Sequence, residues 1–180
     1  MYANLFGDFV KGKNLSKYPK LIETGILLHR EIDSYIDNHP VVRDLLHQLY
    51  PILPKISGIA VDLYFDHLLS RNWKSYHHLP YNQFLQQFYD AEIENKNEYS
   101  IEFINFISIL KEKNWMLHYP THDGLNRVCK GLSNRISFPN SLGQAPGVYS
   151  ENEALIETAF TLFMKDAMVH FREFHSKISY

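Results

Sequence analysis

Helical periodicity runs through almost the whole chain and constrains its fold more than any other feature. Apolar residues recur at intervals of three and four positions, the pattern of helices that bury one face, whereas the alternation typical of half-buried strands is scarce. A chain of 180 residues is long enough for one domain with a substantial core. Because no internal repeat or long polar linker divides it, we predict one all-α domain, a helical bundle over residues 1–180.

Prolines and capping residues mark the expected ends of the helices. A residue that precedes proline disfavours the α conformation, so Asn38-His39-Pro40 is predicted to separate two helices. The segment from Pro139 to Gly147 collects Pro, Asn, Ser and Gly and is predicted to be the longest connection. Ser150 and Glu153 have the spacing of a capping box, which predicts a helix start. The predicted helices span residues 20–38, 40–50, 55–73, 81–93, 100–113, 121–136 and 150–178.

Charge and cysteine content exclude several kinds of protein. The formal net charge is −2, so no general basic field indicates a nucleic-acid partner. Cys129 is the only cysteine, which excludes a disulfide framework and a cysteine-based zinc site. The most apolar helical stretch, Ile101–Leu110, is too short to span a bilayer, and the first residues show no signal-peptide pattern. We therefore predict a cytoplasmic protein with no membrane partner.

Two polar residues interrupt the apolar face of the helix predicted over residues 20–38. At about 100° per residue, His29 and Asp33 share about 80° of arc with Ile22, Ile26 and Ile36. An unpaired carboxylate is costly to remove from water, so such groups are normally paired or bound to a metal. For this helix alone, a His–Asp pair that satisfies itself within the core is the simpler interpretation.

The helix predicted over residues 55–73 repeats this feature, which changes the interpretation. Asp66 lies where another apolar residue would be expected, on a face that it shares with Ile59, Asp62, Leu63, Leu69 and Trp73. Polar residues in corresponding places on two helices favour a shared site, as in helical bundles that hold metals with carboxylates and histidines. An oxygen-rich ligand set favours Mn²⁺ or Mg²⁺ over structural zinc. The predicted metal ligands are Asp8, His29, Asp33 and Asp66.

Other kinds of phosphate chemistry have no motif in this sequence. There is no Gly-rich phosphate loop and no Gly-x-Ser-x-Gly segment, so a serine nucleophile has no support. His77 and His78 are expected on a solvated loop, and Asp37 is expected to cap a helix or face solvent.

Three segments, in order and spacing, resemble the acyl carrier protein phosphodiesterase family. They are Gly7-Asp8-Phe9-Val10-Lys11-Gly12, then His29-Arg30-Glu31-Ile32-Asp33 followed by Asp37-Asn38, then Asp66-His67-Leu68-Leu69 with Trp73. The resemblance is strong from about Asn4 to Trp73 and more diffuse towards the C-terminal helix, where Gly131 to Arg135 is also similar.

This resemblance implies a fold and an activity. The family is all-helical and cytoplasmic, and it is related to the His-Asp metal phosphohydrolases. Its members hydrolyse the phosphodiester that joins 4′-phosphopantetheine to a serine of holo acyl carrier protein. The resemblance further implies a divalent ion, Mn²⁺ with Mg²⁺ as a substitute, held or surrounded by Asp8, His29, Asp33 and Asp66. It also implies a further N-terminal stretch with an Ala-His-Leu segment, which this chain is expected to lack.

Several residues near these motifs are candidates for roles in the reaction. His67 matches the neighbouring motif histidine, and it either donates a proton to the leaving serine oxygen or orients a ligand. Arg30, Lys11 and Arg71 are candidates to hold the phosphate. A divalent ion would supply a water of lowered pKa for attack on phosphorus.

Two alternative functions stay open at this point. One is a related hydrolase that acts on a nucleotide or another small phosphodiester. The other is a catalytically inactive helical module that binds acyl carrier protein. Carrier proteins are acidic, so a docking surface should be locally basic. The cluster Lys11, Lys13, Lys17 and Lys20 is either such a surface or an ordinary solvated loop.

Overall fold

The computed structural model describes residues 1–178, and it is helical throughout, with no strand in that range. The all-α prediction is therefore confirmed. Short 3₁₀ turns at Phe6–Phe9, Trp73–Ser75, Lys96–Glu98, Trp115–His118 and Leu142–Gln144 connect the longer elements. The α-helices of this range are α1 (Tyr2–Leu5), α2 (Lys20–Asn38), α3 (Pro40–Leu49), α4 (Ser57–Arg71), α5 (Tyr81–Asp90), α6 (Ile101–Lys113), α7 (His122–Ser133), α8 (Ala145–Glu151) and α9 (Glu153–Ile178).

The break between α2 and α3 follows the expected chemistry. His39 has an extended backbone, with φ −67° and ψ 127°, as a residue before proline prefers. Pro40 then begins α3, where its missing N–H removes no helical hydrogen bond. The helices predicted around residues 20–38 and 40–50 are therefore both present, with ends within one residue of the prediction.

The region before the last helix differs from the prediction. Ser150 lies inside α8 and donates a hydrogen bond to the carbonyl oxygen of Pro146 over 3.1 Å, so it does not cap α9. The predicted capping box is wrong, and α9 begins at Glu153. The segment from Pro139 to Gly147 is also shorter as a connection than predicted, because Pro146 is accommodated in the first turn of α8.

Two hydrophobic clusters hold the helices together. The larger cluster joins α3, α4, α7, α8 and α9, and its fully buried members include Leu45, Tyr64, Leu125, Tyr149 and Ile156. The smaller cluster joins α1, α5, α6 and the first turns of α2. Its fully buried members include Ile26, Phe103 and Ile107.

Helix α2 belongs to both clusters. Near its start, Ile22 and Ile26 are buried in the smaller cluster, whereas Tyr35 and Ile36 pack against the larger one. His29 and Asp33 lie on the turns between these two contacts. The candidate site is therefore placed where α2 crosses from one hydrophobic cluster to the other.

Within residues 1–178, none of the helices combines the length and the apolar character needed to cross a membrane.

Candidate functional site

His29 lies between two carboxylates that come from different elements. Its Nε2 atom is 3.2 Å from Oδ1 of Asp8 and 3.3 Å from Oδ2 of Asp33. The imidazole is mostly buried, with 15% of the side chain exposed, whereas Asp8 and Asp33 expose 73% and 57% of theirs. The predicted ligands Asp8, His29 and Asp33 are thus brought together, with the histidine fixed and the carboxylates open to water.

Gly7 explains how Asp8 reaches His29. A Cβ atom at position 7 would lie 2.3 Å from the Cγ and Cδ2 atoms of the His29 ring, a distance at which something must shift. Only glycine therefore lets the backbone of the Phe6–Phe9 turn approach the imidazole so closely. Asp8 follows at once and meets the Nε2 atom of the same ring.

Two further carboxylates, those of Asp62 and Asp66, lie on α4. They are four residues apart and hence on one face of the helix. Desolvation by the surrounding protein, together with smaller contributions from the charges of Asp37 and Asp33, raises the pKa of Asp62 to about 6. Desolvation likewise raises the pKa of Asp66 to about 7, with the charge of Asp62 as the second cause. Asp62 therefore interacts electrostatically with the carboxylates of α2 on one side and with Asp66 on the other. We refer to Asp8, His29, Asp33, Asp62 and Asp66 as the acidic cluster.

Asp33 responds to the same neighbours. Desolvation is the main cause that raises its pKa, the charge of His29 lowers it, and the charges of Asp8 and Asp37 raise it again. Like charges that crowd in this way each favour the protonated form of the others. Burial and like charge thus both disfavour the ionised form of Asp33, and a nearby cation would favour it.

The surroundings of Asp66 are aromatic. Tyr81 and Tyr119 both have raised pKa values, chiefly through burial, and the charge of Asp66 contributes to each. The hydroxyl of Tyr81 donates a hydrogen bond to the carbonyl oxygen of Met116 over 2.7 Å, which ties the start of α5 to the turn before Tyr119. The Asp66 side chain keeps access to solvent although protein surrounds it, so it lies in a recess of the surface.

The carboxylates that were expected on apolar helix faces are exposed to solvent. Asp33, Asp62 and Asp66 are all exposed, so they do not occupy core positions. On α4 the core side is formed by residues such as Ala60, Tyr64 and Leu68, while Ile59 and Leu69 on the predicted face are only half-buried. These carboxylates therefore lie at the solvent-exposed surface of α2 and α4 and do not interrupt a core.

The predicted phosphate-binding cations are not in contact with the acidic cluster. Arg30 donates hydrogen bonds to the carbonyl oxygens of Val10 and Gly12, over 3.1 and 2.7 Å. Arg71 forms ion pairs with Glu153 and Glu157 of α9. Lys11 is exposed on the loop that follows Asp8. Across residues 1–178, no lysine or arginine forms an ion pair with a member of the acidic cluster.

His67 lies apart from the acidic cluster. Its side chain is buried, with 1% of the residue exposed, and its Nδ1–H donates a hydrogen bond to the carbonyl oxygen of Tyr119 over 2.7 Å. The ring packs against those of Tyr149 and His122. Burial is the main cause that lowers its pKa, which favours the neutral imidazole. These contacts suit a residue that positions the Tyr119 segment better than one that reaches a leaving group.

The donor chemistry of the acidic cluster fits a divalent cation, although the side chains do not form a finished ligand sphere. In residues 1–178, no three His, Cys, Asp or Glu side chains are arranged so that they could hold an ion. The atoms available are nevertheless one imidazole nitrogen and several carboxylate oxygens, which suit Mn²⁺ or Mg²⁺. Burial, with a smaller contribution from neighbouring negative charges, raises the pKa of Asp33 and Asp62, and a bound cation would favour their ionised forms.

Two elements of the site were missed from the sequence. Asp62 was placed on the same face of its helix as Asp66, four residues away, but was not counted among the metal ligands. Tyr119 was missed because no local pattern in the sequence shows that the turn before α7 packs beside α4.

Together, the fold and the site define an all-helical protein that carries a fixed histidine between carboxylates beside an aromatic recess. The chain belongs to the acyl carrier protein phosphodiesterase family, whose family model matches residues 1–167. The resemblance in the sequence is therefore confirmed.

Individual relatives are similar to this chain at moderate identity. An acyl carrier protein phosphodiesterase of an Enterobacter species is 29% identical over 134 residues, which cover 74% of this chain and 69% of the relative. The protein of that name from Escherichia coli O157:H7 is 27% identical over 162 residues, which cover 89% of this chain and 84% of the relative. No solved structure matches the chain.

Proposed function

We propose that this chain hydrolyses the phosphodiester that links 4′-phosphopantetheine to a serine of an acyl carrier protein. The observation that carries this proposal is His29 held between Asp8 and Asp33, beside the carboxylates of α4. Membership of the family supplies the substrate class. In the reaction, water attacks phosphorus, the bond from phosphorus to the serine oxygen breaks, and that oxygen takes up a proton.

Electrostatics support a metal cofactor for this reaction. A phosphodiester is an anion, and the ionised acidic cluster would repel it unless positive charge were added. We propose Mn²⁺, with Mg²⁺ as a substitute, because the donor atoms are mainly carboxylate oxygens. The ion would lower the pKa of a bound water and neutralise charge on the phosphate. The residues that would hold it are Asp8, His29, Asp33 and Asp66, with Asp62 beside them, and their side chains would have to move closer together to share one ion.

Neighbouring residues of the chain fix the orientation of the His29 ring. Gly7 allows the Phe6–Phe9 turn to lie against the imidazole of His29, and Asp8 and Asp33 flank its Nε2 atom. This arrangement limits rotation of the ring, and either flanking carboxylate is open to water and can accept a proton from it.

The loop from Lys11 to Lys20 is suited to dock an acidic carrier beside this site. Leu15 is buried in the smaller hydrophobic cluster, and Arg30 binds two backbone carbonyls at the start of the loop. Lys11 and Lys13 are exposed, and neither has an ion-pair partner in the described chain. A fixed loop with unpaired lysines attracts negative charge to the edge of the acidic cluster.

The proposal is tested with the purified chain and holo acyl carrier protein in the presence of Mn²⁺. Mass spectrometry should show loss of phosphopantetheine from the carrier, and Asp33→Asn should abolish it. Asp44→Asn, a change at an exposed carboxylate on α3, serves as the matched control and should leave the rate unchanged. Cleavage of a small phosphodiester without cleavage of the carrier would instead support a different hydrolase. Binding of the carrier without any cleavage would support an inactive module.

A further inference from the structure

A groove of about 540 Å³ lies at the C-terminal end of α4, where the Trp73–Ser75 turn meets the start of α5. Its volume is in the range of sites that bind small molecules. We call it the α4–α5 groove. Its walls include Ser70, Arg71, Trp73, Lys74, Tyr81 and Asn82.

The α4–α5 groove lies beyond Asp66 towards the C-terminal end of α4. Asp62, Asp66 and Ser70 follow one another at four-residue intervals, so each lies about 6 Å further along the helix on the same side. Ser70 lines the groove, and so does Tyr81, whose phenol senses the charge of Asp66. A molecule whose phosphate lay at the acidic cluster could therefore extend directly into the groove.

Trp73 gives the groove a rigid aromatic wall. Its Nε1–H donates a hydrogen bond to the carbonyl oxygen of Leu79 over 2.9 Å. Its ring packs against Phe84 and Tyr81, with centroid distances of 4.7 and 5.2 Å. These contacts hold the indole in one orientation before any ligand arrives, which lowers the entropic cost of binding.

The polar groups of the groove are mostly neutral. Asn82 is exposed and makes no hydrogen bond through its side chain within the described chain. The charge of Arg71 is already matched by Glu153 and Glu157. Lys74 is exposed at the rim and supplies the one unpaired positive charge among the six wall residues named above. Aromatic surface with a free amide suits an uncharged chain that carries amide groups and methyl groups.

We infer that the α4–α5 groove binds the pantetheine arm of the substrate, with Trp73 and Asn82 as specificity-determining residues. This inference rests on the proposed function. Between its phosphate and its thiol, the arm is uncharged and carries amide groups and a dimethyl carbon. Trp73 packs against the aliphatic part of the arm, and Asn82 exchanges hydrogen bonds with an amide. Recognition of the arm explains how the site distinguishes a phosphopantetheinylated serine from other phosphodiesters.

A binding experiment with pantetheine alone tests this inference without any hydrolysis. In Trp115→Phe the only remaining tryptophan is Trp73, so its fluorescence reports on the groove. Titration with pantetheine should give a saturable change. Asn82→Ala should weaken binding about 3–10-fold, the effect of losing a hydrogen bond. Gln83→Ala, the next residue on α5 and outside the groove, is the matched control and should bind as before.

Competition separates failure of this inference from failure of the proposed function. If the chain cleaves holo carrier, pantetheine should inhibit competitively, and Asn82→Ala should raise its inhibition constant by the same factor. Cleavage of holo carrier without a saturable Trp73 signal would overturn the inference and leave the proposed function intact. A saturable Trp73 signal that Asn82→Ala does not weaken would also overturn it, since the ligand would then lie elsewhere. Pantetheine binding that depends on Asn82, without cleavage under any metal, would support the groove and reject the hydrolase.

Discussion

Asp66 and His67 are adjacent in the chain, yet their side chains lie in different environments. Asp66 reaches solvent in a recess next to Asp62, whereas His67 is buried against Tyr149 and bonded to the carbonyl oxygen of Tyr119. Successive helical residues are separated by about 100°, so one turn of α4 can place the two side chains in different environments. One motif thus provides an acidic group to the site and a buried anchor for the segment beside it.

Replacing His67 should therefore affect stability more than chemistry. His67→Ala removes a buried ring and its hydrogen bond to Tyr119, so we expect a loss of about 2–4 kcal/mol in the free energy of unfolding. The rate per folded molecule should change by less than about threefold, because its Nδ1 atom is engaged and the ring is closed to solvent. Denaturant titration and assays well below the melting temperature separate the two effects. A stable variant with a rate reduced 100-fold or more would instead assign His67 a chemical role.

Gly7→Ala should disrupt the acidic cluster although Gly7 is not one of its members. The added Cβ would lie 2.3 Å from the His29 ring, so the ring or the Phe6–Phe9 turn must move and the contact with Asp8 should be lost. We expect destabilisation of about 1–3 kcal/mol and a large fall in activity. Gly131→Ala is the control, since nothing lies near its added Cβ and alanine is favoured within α7 by about 0.5–1 kcal/mol. Equal stability and equal activity of Gly7→Ala and Gly131→Ala would refute the close packing at Gly7.

The raised pKa values of Asp62 and Asp66 predict how stability depends on pH without a divalent ion. In the folded state these groups bind protons up to about pH 6 and 7, whereas their ordinary value is 3.8. Folded chains hold more protons in this window, so the free energy of unfolding falls as pH rises from about 4 to about 7. Asp66→Asn should flatten this decline and raise the melting temperature near pH 8 by about 2 °C, a modest value because solvent screens an open carboxylate. Thermal melts in the presence of a chelator would measure this effect, and an unchanged pH dependence in the variant would contradict the raised pKa of Asp66.

The raised pKa values of Asp33, Asp62 and Asp66 also predict a response to metal, because a bound cation favours the ionised carboxylates. At 100 times its dissociation constant, an ion that binds only the folded chain adds about 2.7 kcal/mol, or roughly 5–10 °C in melting temperature for a chain of this size. Mn²⁺ and Mg²⁺ should both raise the melting temperature, and Asp33→Asn should reduce the effect. Asp44→Asn should keep the full shift. An identical shift in all three proteins would place the ion elsewhere.

How much the sequence predicted depended on the length of each pattern. Helix α2 is long, and its periodicity indicated both the helix and the polar residues His29 and Asp33. Helix α1 has only four residues, which are too few for a periodic signal. Helix α8 was not predicted because its first turn contains proline and glycine, which usually indicate a loop. On α4 apolar residues occur on nearly every side, so periodicity alone did not show that Tyr64 is fully buried while Leu69 packs only at the edge of the core. Contacts between distant segments, such as His67 with Tyr119, are set by tertiary packing and leave no local pattern.

The lysines of the Lys11–Lys20 loop should govern association with the carrier but not the chemical step. Lys11→Glu combined with Lys13→Glu reverses two unpaired charges beside the acidic cluster, so an acidic partner should bind more weakly by roughly tenfold at low ionic strength. Added salt should shrink the difference between the variant and the parent chain, because exposed charges are screened. Lys165→Glu with Lys130→Glu changes the net charge equally on distant exposed positions and should have a much smaller effect. Steady-state kinetics on holo carrier should show a raised KM with kcat preserved. Equal losses in both double variants would mean that overall charge, and not the loop, attracts the carrier.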